Sequence, residues 1–133
     1  MADSTESQSA PRNVFQIIKA FKWSMKGLKA AWDFESSFRL EVYLFIVLAP
    51  LGFMMGNSGL EKAVLVSCLI LVLIVEVLNS AIEAVVDRFG GEHHELSGRA
   101  KDLGSASVFL TDVIVVVCWA CILGPRFMAW INS

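Results

Sequence analysis

Charge is what this sequence has least of. Only 18% of its 133 residues are Asp, Glu, Lys or Arg, against 56% hydrophobic residues. A soluble helical domain of this size needs more charge to clad its outer faces, so the composition points to a membrane. A basic excess is missing too. With a net charge of -2 the chain has no field for displacing counterions from phosphates, and no nucleic-acid partner is expected. Cysteine is limited to Cys68, Cys118 and Cys121, all in apolar segments, which argues against a disulfide framework and for buried thiols. The C-x-x-C of Cys118 and Cys121 lacks the polar surroundings that redox or metal chemistry requires. No G-x-x-x-x-G-K-[ST], G-x-S-x-G or H-E-x-x-H occurs, so Walker-type, serine-hydrolase and zincin chemistry are not written here. Residues 1–13, "MADSTESQSAPRN", carry no apolar core of a cleavable signal and are expected to be a disordered polar tail.

What the chain does have is long apolar runs. Lys19, Lys22, Lys26 and Lys29 recur at spacings of 3, 4 and 3, with Ile17, Ile18, Phe21, Met25, Leu28 and Trp32 on the rest of the cylinder. This pattern predicts an amphipathic helix over about 14–34 lying on a membrane surface. Three spans follow, at about 40–58, 63–87 and 107–130, with a polar loop over about 88–106. The first is uncharged from Val42 to Leu60 and contains Pro50 and Gly52, which membrane helices tolerate. The second holds fifteen Val, Leu or Ile residues between Ala63 and Val86. Their combined insertion gain, about 6 kcal/mol, exceeds the roughly 3 kcal/mol of a central carboxylate. The expected class is therefore an all-α integral membrane protein, with residues 14–133 as one domain. Lys and Arg divide nine to two across the three spans, which places the N-terminus and residues 87–106 in the cytoplasm.

Within the second span stands "EVLNSAIEAVVD", residues 76–87. At about 100° per residue, Glu76, Asn79, Glu83 and Asp87 fall on one face. Helix glue accounts for Asn79; two intramembrane glutamates point to function, since a desolvated carboxylate is expensive. Asp112, in the third span, has no role that the pattern assigns. The stretch "DRFGGEHHELSGRAKDLGS" adds Glu92, His93, His94, Glu95, Arg99, Lys101 and Asp102 near the membrane surface. It suits a polyanion or a metal, although adjacent histidines diverge on a helix and make a poor zinc site. The residues alone thus describe an intramembrane acid site facing the cytoplasm, with bases nearby.

"VEVLNSAIEAVVDR" followed by "HELSGRAKDLGSA", together with "SMKGLKAAW" upstream, resembles the prokaryotic diacylglycerol kinase family. The resemblance runs from about Gln16 to the end of the third span. It implies a homotrimer with active sites shared between subunits in a bacterial cytoplasmic membrane. Each subunit would transfer the γ-phosphoryl group of MgATP to a lipid hydroxyl. It further implies Glu76 as the base, Glu35 and Glu83 as Mg2+ ligands, and Asn79 and Asp87 as supports. Nucleotide contacts would come from Gln16, Trp23, Glu92, His93, His94, Lys101 and Asp102, and lipid contacts from Lys29, Ala30, Ala31, Trp32 and Ser105. Gln16 stands where many members carry arginine, Trp23 and His93 replace tyrosines, and Met25 replaces an anchoring indole. Two alternatives stay open at this point: an undecaprenol kinase, and a non-enzymatic bundle that relays protons through Glu76 and Glu83.

Overall fold

The computed structural model describes residues 14–88 and 94–132, which form four helices: α1 (Val14–Phe34), α2 (Ser36–Met55), α3 (Gly59–Arg88) and α4 (Glu95–Ile131). The expected tail and Glu92 and His93 lie outside the described residues. Among those residues the fold is entirely helical, and α2, α3 and α4 are each long and apolar enough to cross a membrane. At about 1.5 Å per residue, the 37 residues of α4 extend roughly 55 Å, well beyond a hydrocarbon core of about 30 Å.

The helix ends follow local chemistry. Between α1 and α2 only Glu35 leaves the helical region, with φ -109° and ψ 114°, and Arg39 ties the corner by donating to the Trp32 carbonyl at 2.8 Å. Pro50 sits inside α2 without ending it. The α2–α3 turn is closed by two bonds close to a capping box: the Glu61 N–H donates to Ser58 Oγ at 3.1 Å, and the Asn57 N–H, one residue before the cap, donates to Glu61 Oε2 at 2.8 Å. Arg126, near the far end of α4, fastens onto this turn by pairing with Glu61 and donating to the Met55 carbonyl at 2.6 Å.

One element departs from the sequence-based expectation. The segment expected as loop up to residue 106 is helical from Glu95 onward. His94 starts it, its Nδ1 accepting the Leu96 N–H at 3.2 Å, and a capped, mixed-polarity stretch runs on into the apolar helix behind it.

α3 is the central element. Its buried residues, Leu65, Cys68, Leu69, Val72, Glu76 and Ser80, recur at intervals of three and four and so form one stripe, covered by α2 and α4. The upper part of the stripe is dry. Gly52 brings the α2 backbone so near that an added Cβ would stand 3.1 Å from both Leu65 Cβ and Trp119 Cζ2. Trp119 Nε1 donates to the Leu65 carbonyl at 3.3 Å. The expectation of buried thiols holds for Cys68; Cys118 is half-buried and Cys121 exposed, because α4 meets its neighbours along one side only. α1 touches the bundle chiefly through buried Ala31.

Gly52→Val is expected to overpack this contact and lower stability by about 1–3 kcal/mol. A thermal unfolding midpoint in detergent that matches the unmodified protein would contradict the close α2–α3–α4 approach.

Candidate active site

Below Val72 the α3 stripe turns polar. Glu76 is only 4% exposed and lines a cavity of about 320 Å³ with Ser37, Leu40, Glu41, Asn79, Glu83, Ser105 and Val108. Asn79 Nδ2 donates to Glu83 Oε1 at 3.3 Å, one turn along the helix. Ser80 turns its hydroxyl inward onto the Glu76 carbonyl at 2.9 Å. Glu35, Glu41, Glu83 and Asp112 all lie within electrostatic range of Glu76.

The sequence-derived candidates distribute unevenly. Glu76, Asn79, Glu83 and Ser105 share the one cavity. Glu35, Ala30 and Ala31 line a neighbouring cavity of about 330 Å³, closed on its other side by Val77, Ser80, Ala81 and Ala84 of α3. Although Glu35 is the N-cap residue of α2, its side chain makes no capping bond, so its carboxylate is left for another partner. Asp87 pairs with Lys101 at 2.6 Å, joining the polar ends of α3 and α4. Lys101 stands in the polar first turns of α4, and its hydrogen bond to Asp87 holds the ammonium above its ordinary value. His94 is engaged in capping α4. Trp23, Gln16 and Asp102 are exposed; they line neither cavity. Lys29 pairs with Asp33 on its own helix, and Trp32 rests edge-on against Tyr43 at 5.7 Å.

Glu41 is the residue that the sequence pattern left out. It ends the apolar run on its N-terminal side, where a charge reads as a flank, yet α2 carries it into the cavity of Glu76. It also borders a second cavity of about 260 Å³ that contains Asp112. No helical spacing marks it, since six residues from Glu35 leave the two positions about 120° apart around a helix.

Among the described residues no three His, Cys, Asp or Glu side chains form a ready-made metal cage. Glu83 and Glu35, which line adjoining cavities, are donors of the kind magnesium takes, since that ion keeps several waters and is commonly held by one or two carboxylates plus the phosphates it accompanies.

A helical protein with three membrane-length helices and an acid buried among them has the form of an integral-membrane protein. The profile of the prokaryotic diacylglycerol kinase family matches residues 22–123, and the chain belongs to that family. A diacylglycerol kinase of Haemophilus influenzae is 50% identical over 107 residues, covering 80% of this chain and 91% of the relative. One of Escherichia coli (strain K12) is 46% identical over 112 residues, covering 84% and 92%. One of Helicobacter pylori is 36% identical over 114 residues, covering 86% of each.

Because the Asp87–Lys101 pair is solvent-exposed, Asp87→Asn should leave the thermal unfolding midpoint where it is. A clear fall in that midpoint would make the pair a structural tie.

Proposed function

We propose that this chain phosphorylates diacylglycerol with ATP, yielding phosphatidic acid at the cytoplasmic face of a bacterial inner membrane. The observation that carries the reading is the burial of Glu76 in a cavity beside Asn79, Glu83 and Ser105, in a chain of the diacylglycerol kinase family. A carboxylate kept from water there is placed to meet a hydroxyl that resides just beneath lipid headgroups.

In this reading Glu76 accepts the proton of the diacylglycerol hydroxyl as its oxygen attacks the γ-phosphorus, and the bond to the leaving ADP breaks. Glu83 and Glu35 would hold magnesium. The ion, when bound, neutralises charge on the phosphates. Asn79 keeps the Glu83 carboxylate in place, and Glu41 adds to the acidic field. Lys101, steadied by Asp87, supplies positive charge toward the phosphates. Asp102, His94, Glu92, His93, Gln16 and Trp23 serve the nucleotide on the aqueous side. Lys29 to Trp32 and Ser105 border the lipid. Phosphoryl transfer is mostly positioning and electrostatics, so this short set suffices without a Walker loop.

The rest of the proposal concerns assembly. Residues 14–34 would form an amphipathic helix on the cytoplasmic membrane surface, with residues 14–133 as the kinase domain and the N-terminus inside. The exposed lipid-depth faces of α2 and α4 suit a homotrimer in which neighbouring copies complete each site, and Asp112 on such a face supports it.

Glu76→Gln is expected to reduce phosphate transfer from labelled ATP to diacylglycerol by about 100- to 10,000-fold while leaving insertion and oligomer size unchanged. Normal turnover would reject the base. Diacylglycerol, ceramide and undecaprenol compared side by side test the acceptor, and preference for the polyprenol would replace it. Glu83→Ala and Glu35→Ala should each raise the Mg2+ concentration for half-maximal rate about 10-fold or more. An ordinary Mg2+ titration would remove that residue from the metal site.

A further inference from the structure

Gly104 is buried in α4 against Asn79 of α3. A Cβ added to it would overlap Asn79 Oδ1 and lie 3.2 Å from Asn79 Cγ. The atoms it meets are the end of a side chain, so Asn79 is what would have to move. Its Nδ2 donates to Glu83, and its Oδ1 is sealed from solvent without a hydrogen-bond partner. An unpaired buried amide oxygen is destabilising, so its persistence calls for an explanation. Turning the amide over would set that oxygen against the Glu83 carboxylate, acceptor facing acceptor. The orientation present therefore favours Glu83 at the expense of the Asn79 oxygen, and only a residue without a side chain leaves room for it. Gly124, on the same helix, meets nothing within 4 Å, so the close approach is particular to position 104.

We propose that Gly104 is a positioning residue for phosphoryl transfer, its bare Cα fixing the Asn79 amide so that Asn79 fixes the Glu83 carboxylate. This deepens the site described above and rests on that reading. A methyl group at 104 forces Asn79 into another rotamer, breaks its bond to Glu83 and lets the carboxylate swing. Groups that orient a metal-binding side chain typically matter by about 10- to 100-fold in metal affinity or activity.

The test uses the full chain in mixed micelles with diacylglycerol and MgATP, comparing Gly104→Ala, Gly124→Ala, Asn79→Ala and the Gly104→Ala/Asn79→Ala pair. Gly124→Ala should behave as the unmodified chain. Gly104→Ala should need about 10- to 100-fold more Mg2+ for half-maximal rate, with KM for diacylglycerol unchanged. The double variant should match Asn79→Ala alone, because a truncated side chain leaves space for the methyl. Gly104→Ala indistinguishable from Gly124→Ala overturns the proposal, as does a further loss of about ten-fold when it is added to Asn79→Ala. Should Gly104→Ala alone fail to insert, the double variant decides by the same comparison. Failure of the underlying reading looks different: no transfer by the unmodified chain, or normal transfer by Glu76→Gln, which overturns both.

Discussion

A carboxylate buried on the packed face of a membrane-length helix is the constraint from which the other features follow. Glu76 lies on the same stripe as Leu65, Leu69 and Val72, so the face that holds the bundle together is also the face that carries the acid. The register of α3 therefore sets packing and chemistry at once. A rotation that exposed Glu76 would also strip α3 of its apolar contacts, which makes the placement of the acid as secure as the core beside it.

Two glycines set how closely the flanking helices approach. Gly52 lets α2 reach Leu65 and Trp119, in a dry contact, and Gly104 lets α4 reach Asn79, in a polar one. The cavity of Glu76 lies beside the second of these approaches, since Asn79 and Ser105 line it. At the opposite end, Arg126 binds α4 to the capped α2–α3 turn through Glu61 and Met55. The acid site thus sits at the end away from the clamp, where α1 joins through the extended residue Glu35, the bond from Arg39, buried Ala31 and the Trp32–Tyr43 contact.

Much of the fold could be read in advance because lipid imposes one rule: each span must satisfy its own backbone and stay apolar for about 20 residues. The apolar runs mark the three helices long enough to cross a membrane, although α4 begins twelve residues before the span expected at about 107–130. The segment after Glu95 was misread as loop because its polarity resembles that of a connection, whereas the His94 cap and continuity with the apolar helix make it the first turns of α4. Glu41 was missed for a related reason, since a charge at the edge of an apolar run looks like its boundary.

Sequence by itself determined that Glu76, Asn79, Glu83 and Asp87 share a face, because helical periodicity is a local property that needs no neighbours. It also carried the motifs by which the family is known. Tertiary structure alone decided that Glu41, Ser37 and Ser105 join Glu76, that Glu35 opens onto an adjoining cavity, and that Gly104 confines Asn79. Those relations join helices separated by tens of residues. They depend on crossing geometry and on side-chain volumes at the crossings, which no single-helix pattern contains.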